Sequence, residues 1–359
     1  MVAPPVPRNG RRFLAAMRAR TYNGAANNGE PMFVVTGGAG FIGSNLVAAL
    51  DARAPGQVVV CDRLGTGDKW RNLAKRDLAG VVAPEALPDF LTTNAHQVKA
   101  LFHLGAISST TETDADLLFA NNVAFSLDLW RWCAKRAVPF IYASSAATYG
   151  DGAAGFDDDF SIEGLAKLRP LNPYGWSKHM FDRRVARLIE VGKKRPPQWA
   201  GLKFFNVYGP NEYHKDDMMS VVAQVYPRAT QDQPARLFKS HNPSYKDGGQ
   251  LRDFIWVGDC VSVMLWLLDN PKVSGLFNLG TGKARSFGDL ATAVYRASNR
   301  QPLIEYVDTP EHLRAKYQYF TEARMARLRA AGYTQPFTEL EDGVARYVRD
   351  YLAASDPYL

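Results

Sequence analysis

"VVTGGAGFIGSNLV", residues 34–47, sets the fold. A short run of valines ends in Gly37, Gly40 and Gly43, three residues apart, and an amphipathic stretch follows at once. Apolar β-branched residues predict a buried strand, glycines predict a tight turn, and the next dozen residues predict a helix. Bare backbone between strand and helix lets a pyrophosphate approach the amides at the start of the helix. The segment therefore predicts the first strand-turn-helix of a dinucleotide-binding fold.

Outward from this stretch the same alternation continues. "QVVVCD" (57–62), "ALFHLG" (100–105), "PFIYASS" (139–145) and "LKFFNVYG" (202–209) read as buried parallel strands, with helical patterns such as "NVAFSLDLWRWCAKRA" between them. This βαβ order predicts an α/β fold with a Rossmann-type, doubly wound parallel sheet. Beyond about residue 209 the rhythm gives way to loops rich in Asn, Asp, Gly and Pro, with "LRDFIWVGD" and "GLFNLGTG" as later strands. The expected division is a dinucleotide-binding unit over 32–205 plus about 250–285. A smaller, discontinuous substrate unit would take 206–249 and 286–359.

A chain of 359 residues with 46% hydrophobic and 22% charged residues has the length for one large or two closely joined domains. Its formal charge is +7, but Arg8, Arg11, Arg12, Arg18 and Arg20 against Glu30 place most of that excess in residues 1–31. That segment reads as a flexible extension, with no long apolar region of a secretory signal. The weak remaining excess does not point to nucleic acid, and no apolar run is long enough to span a membrane as a helix. Cys61, Cys133 and Cys260 are widely spaced and odd in number, so neither a disulfide framework nor a metal site is expected, and a cytoplasmic setting fits.

Three residues predict redox chemistry. "NPYGWSK" sets Tyr174 and Lys178 four apart on one helix face, and Ser145 stands at the end of the "PFIYASS" strand. A phenol of ordinary pKa near 10 is a poor base at neutral pH, and a fixed ammonium beside it favours the phenolate. Ser145 would orient the reacting oxygen. Asp62 ends the second strand, where a carboxylate accepts hydrogen bonds from an adenosine ribose, whereas Arg63 and Lys69 close by would hold a ribose phosphate. Residues alone leave NAD and NADP both open.

The glycine spacing and the Ser-Tyr-Lys set resemble the short-chain dehydrogenase/reductase superfamily. "HLGAISSTTETDAD", "YASSAATYG", "PLNPYGWSK", "FNVYGPNEYHK", "LRDFIWVGDC", "FNLGTG" and "KYQYFTEA" together look more specifically like the ADP-L-glycero-D-manno-heptose 6-epimerases, across roughly residues 32–350. "AISSTTETD" and "YQYFTEA" are the distinctive ones. Sugar-nucleotide dehydratases of the superfamily carry an Asp-Glu pair after the catalytic serine or threonine; "SSAATYG" has none, which disfavours elimination. The resemblance implies an ADP-heptose substrate of lipopolysaccharide precursor synthesis and a tightly held nicotinamide cofactor, usually NADP. It also implies a homo-oligomer, often a pentamer.

Carried over by position, the resemblance places Phe41 and Ile42 at the cofactor's phosphates and Leu104, Gly105, Ala106, Ile107 and Ser108 along its middle. Asn121 and Val207 would also touch it. Ser145, Asn206, Phe238, Lys239, Ser240, His241, Arg252 and Tyr317 would meet the substrate, the planar guanidinium of Arg252 suiting a pyrophosphate. Asp217 stands where the family commonly has a small hydroxyl residue, and Gln224 where it has a histidine. Lys215 corresponds to a second acid/base, near the cofactor. Inversion by hydride removal and return leaves the alcohol oxygen in two different positions, and one fixed phenol does not easily serve both. Asp216 and Asp217 would raise the Lys215 pKa if they faced inward. Another nucleotide-sugar epimerase of the 4-epimerase type, or a reductase, would share the glycine loop and the triad without needing Lys215. A catalytically silent protein of this fold would have lost Tyr174 or Lys178, and both are present.

Overall fold

The computed structural model describes residues 29–314 and 318–359. The expectations for residues 1–28 and for Tyr317 lie outside the described residues. The chain runs β1 (Met32–Thr36), α1 (Phe41–Arg53), β2 (Val58–Cys61), β3 (Gly80–Val82), β4 (Val98–His103), α2 (Phe125–Arg136), β5 (Phe140–Ser145), α3 (Pro173–Glu190) and β6 (Trp199–Phe204). It continues through β7 (Asn206–Tyr208), α4 (Val221–Thr230), β8 (Ala235–Phe238), β9 (Leu251–Trp256), α5 (Val257–Asp269) and β10 (Gly275–Leu279). The chain then forms β11 (Ala284–Ser286), α6 (Phe287–Ala297), β12 (Ile304–Val307) and α7 (Leu340–Tyr347).

Seven strands form one parallel sheet in the order β10-β6-β5-β4-β1-β2-β3. Its order reverses at β1 and β4, so a crevice opens at their carboxyl ends, where open α/β sheets bind ligands. The doubly wound sheet expected from sequence is thus present. Both its faces are covered: Val35, Val60, Phe102 and Ile141 pack on the α1 and α5 side, whereas Val34, Val59, Leu101 and Phe140 pack on the α2 and α3 side. Each such fully buried side chain contributes about 1.5–3 kcal/mol.

The late segments divide more finely than their sequence suggested. "LKFFNVYG" supplies β6 to the large sheet and β7 to a three-stranded sheet of order β11-β9-β7. Of the stretch 250–285, β10 joins the large sheet and β9 the small one. Strands β8 and β12 pair in parallel as a third, two-stranded sheet, against which α4 and α6 pack through Val222, Val225, Leu290 and Val294. Among the described residues no helix is long and apolar enough to cross a membrane.

Candidate active site

A cavity of about 1030 Å³ opens at the carboxyl ends of β1 and β4. One end is the glycine loop. Gly37 has φ of +69°, and a Cβ there would lie 2.6 Å from the Gly105 nitrogen; one on Gly43 would lie 2.0 Å from the Gly37 oxygen. Only glycine lets these three backbones nest so closely. No side chain caps α1 at Gly40, so the first amides of the helix are left for an anion. This cradle fits a dinucleotide pyrophosphate.

At the rim beside β2, the Asp62 carboxylate accepts from the Ala39 amide at 2.9 Å, the Arg63 amide at 2.7 Å and Lys69 Nζ at 2.6 Å. Arg63 is ion-paired with Glu85, both well exposed. Two cations and two carboxylates therefore surround the place where an adenosine ribose would lie. The 104–108 stretch is held by Asn122, whose side chain accepts from the Ile107 amide and donates to the Ile107 carbonyl, each at 2.9 Å. Sequence reading singled out neighbouring Asn121, which lines the cavity; the π-helical turn Phe119–Ala124 turns Asn122 inward as the clamp. His103 is buried between Thr36 and Ser126, 2.7 Å from each, and burial pushes its pKa down to about 3, so it is a neutral structural link.

Ser145, Tyr174 and Lys178, the catalytic set expected from sequence, meet on the cavity's inner wall. Asn172 caps α3 by accepting from the Gly175 amide at 2.7 Å, and Pro173 fixes the first turn, which places Tyr174 one turn ahead of Lys178. Lys178 Nζ donates to the Ala143 carbonyl on β5 at 2.9 Å. Burial lowers its pKa to about 8, against the opposing pull of Asp182. Burial raises the Tyr174 pKa, and a hydrogen bond with Ser145 lowers it in part. Behind this wall Asp182 is fully buried, accepting from Ser144 Oγ at 2.6 Å and Tyr142 Oη at 3.0 Å.

Lys215 faces the same cavity from a loop after β7, its Nζ 5.2 Å from the centre of the Phe41 ring. Three asparagines fasten that loop to the glycine-loop helix and its surroundings. Asn45 Nδ2 donates to the Pro210 carbonyl at 3.0 Å, Asn211 Nδ2 to Ser44 Oγ at 3.0 Å, and Asn72 Nδ2 to both the Ala39 and Asn211 carbonyls. Burial lowers the Lys215 pKa, with Glu212 opposing. Asp216 and Asp217, expected to raise it if they faced inward, are exposed. The carboxylate that does act is buried Glu212, bound by the Ser220 amide and hydroxyl and by Tyr347 Oη. Asp216 adopts φ of +46° immediately after Lys215, strain of the kind that accompanies functional loops. His214, missed in the sequence, also lines the cavity, its pKa lowered to about 4 by burial and the nearby Lys69 and Lys215.

Every position assigned to the cofactor from sequence lies on this wall, as do Ser145 and Asn206 from the substrate set. The other described substrate candidates lie off it. Arg252 is buried, donates to the Leu251 and Gln318 carbonyls and stacks on Phe287, whose ring lines the cavity. Lys239 pairs with Asp308 at 3.1 Å, Ser240 Oγ donates to the Asn242 carbonyl, and His241 meets Tyr319 Oη at 2.9 Å. Phe238 ends β8, and Gln224 donates to the Asp217 and Met219 carbonyls.

The sequence profile of the NAD dependent epimerase/dehydratase family matches residues 33–280. The chain belongs to this family. Among its relatives, the ADP-L-glycero-D-manno-heptose-6-epimerase of Nitratidesulfovibrio vulgaris (strain DP4) is 53% identical over 330 residues, covering 91% of this chain and all of the relative. Two solved epimerases share the fold. The ADP-L-glycero-D-manno-heptose-6-epimerase of Helicobacter pylori is 27% identical with a TM-score of 0.70, covering 89% of this chain and 96% of the other. The UDP-glucose 4-epimerase of Thermus thermophilus, in complex with NAD, is 26% identical with a TM-score of 0.70, covering 90% and 99%. The family is one of nicotinamide-dependent enzymes, and the glycine cradle fits the pyrophosphate of such a coenzyme.

Proposed function

We propose that this epimerase inverts the 6-position carbinol of the heptose in ADP-glycero-manno-heptose by removing hydride, forming a ketone, and returning the hydride to the opposite face. The observation that carries this reading is the presence of two acid/base groups, Tyr174 and Lys215, on the walls of one cavity. The 53% identical relative bearing that activity's name supports the choice of substrate. A nicotinamide coenzyme held against the glycine loop and Lys178 would supply the hydride acceptor and donor for this chemistry.

The chain's own residues handle the proton and the oxygen. Tyr174, as phenolate, takes the proton of the carbinol in one stereochemical half, with the Lys178 ammonium favouring the charge and the Ser145 hydroxyl holding the oxygen. In the other half the oxygen points elsewhere, and Lys215 exchanges the proton. Low-dielectric surroundings bring the amine's pKa toward the working pH, and Glu212 limits the fall.

The coenzyme in this reading is NADP, its ribose phosphate held by Arg63 and Lys69. Arg63 is 62% exposed and Glu85 67%, so their ion pair is a weak one that a doubly charged phosphate can replace. The assembly is a homo-oligomer, a pentamer, working in the cytoplasm, and equilibrium sedimentation tests its size. The deciding experiment is turnover of ADP-heptose in D₂O. Hydride that is parked and returned never meets solvent, so the product carries no deuterium at the inverted carbon. Solvent deuterium there would establish deprotonation instead and overturn the mechanism.

A further inference from the structure

Residues 356–359 contribute no group to the cavity, yet they touch both segments that bring cations to it. Lys75 Nζ pairs with the Asp356 carboxylate at 2.9 Å and donates to the Tyr358 carbonyl at 2.6 Å. The Arg71 guanidinium lies 4.6 Å over the Tyr358 ring. Arg71 belongs to the short helix Asp68–Leu73, which also carries Lys69. On the other side, Tyr213 Oη donates to the Pro357 carbonyl at 2.9 Å, and its ring meets that of Tyr358 edge-on at 5.3 Å. The Leu359 amide donates to Asn211 Oδ1 at 2.9 Å.

Asn211 is the pivot. It is fully buried, holds φ of +70°, and spends its amide on Ser44 and its backbone carbonyl on Asn72. Its remaining acceptor is the one taken by Leu359. From there the loop runs through Tyr213 to Lys215, whose amide donates to the Glu212 carbonyl at 3.0 Å. The same chain end approaches Glu212 again through Tyr347 at 3.1 Å. Tyr358 itself is only 9% exposed, so its ring fills the space between the two segments.

We propose that residues 356–359 are a positioning clasp: by joining the Lys69 helix to the Asn211–Tyr213 stretch, they set where Lys215 stands over the cavity. The clasp acts through Lys215 and so rests on its role as the second acid/base. Misplacement of a reacting group by about 1 Å costs on the order of a hundredfold in rate, so loosening the clasp should slow turnover without emptying the coenzyme site.

The test uses the full chain carrying Tyr358→Ala and a second variant lacking residues 356–359. Backbone amide exchange is measured by mass spectrometry, alongside kcat, KM and the nicotinamide released on denaturation. The expected result is faster exchange confined to residues 66–76 and 208–218, a fall in kcat of about tenfold to a hundredfold, and coenzyme content unchanged. Tyr358→Phe, which keeps the ring between Arg71 and Tyr213, should stay within about threefold of the parent. Unchanged exchange over 208–218 in Tyr358→Ala, or faster exchange there with unaltered kcat, overturns the clasp, whether or not the shortened chain folds. Lys215→Met separates the two claims: full turnover in that variant removes the second-base reading and leaves the exchange result standing.

Discussion

In the proposed mechanism Tyr174 carries a negative charge in a place whose burial opposes it, and the Ser145 hydrogen bond offsets that opposition only in part. Tyr174→Phe deletes one hydroxyl and leaves the glycine cradle alone. Turnover should fall by about a hundredfold to ten-thousandfold while the nicotinamide content of the purified protein stays constant. Full activity would dismiss the phenol as the acid/base. Glu85 offers a second test at this scale, since it holds Arg63 in an exposed pair. Glu85→Gln should strengthen NADP binding about two- to fivefold and leave NAD almost unaffected, because exposed pairs are worth up to about 1 kcal/mol. Titration of the stripped protein with each coenzyme checks it; equal gains for both would show that Arg63 does not read the phosphate.

At the scale of elements, α3 carries Tyr174 and Lys178, the proposed catalytic pair, and one turn later Asp182, which acts on Lys178 electrostatically. Asp182 follows Lys178 by four residues and faces Tyr142 and Ser144 of β5, Lys203 of β6 and, at longer range, Tyr149. Burial lowers the Lys178 pKa to about 8 and Asp182 raises it. The ammonium is therefore present below about pH 8 and lost above it, and in the proposed mechanism the phenolate would lose its nearby cation with it. The kcat profile should show a basic limb near that pH. Asp182→Asn removes the carboxylate that raises the pKa, so the limb should move to lower pH; a limb that stays in place would separate Asp182 from Lys178.

The same scale shows how far the sequence could be read. The glycine loop, Ser145, Tyr174 and Lys178 were legible because each depends on residues nearby in the chain, where periodicity and spacing are visible. Glu212 was not, because its burial depends on Ser220 and on Tyr347 far downstream. Asn122 was not, because its clamp on Ile107 lies fifteen residues back in the chain and inside an irregular π-helical turn. Short strands β8, β11 and β12 lack a readable alternation over three or four residues, and their pairing partners lie far away in sequence.

On the scale of the whole molecule, three asparagines and residue Leu359 tie the Lys215 loop down over the helix that opens at the glycine loop. Such a roof suits a coenzyme that is a resident of the protein and not a visitor to it. We expect the purified protein to contain about one bound nicotinamide per chain and to need none added, since the hydride taken is the hydride returned. A protein that loses its coenzyme on gel filtration yet regains full activity only with added NADP would contradict this. Residence also has a hazard. Should the sugar ketone escape before it is reduced, the protein is left holding a reduced coenzyme that no second substrate reoxidises. Each escape retires one molecule until a ketone returns. If the roof holds Lys215 as proposed, it would govern endurance as well as rate, and a mutant that loosens it should show nicotinamide fluorescence that accumulates with the number of turnovers completed.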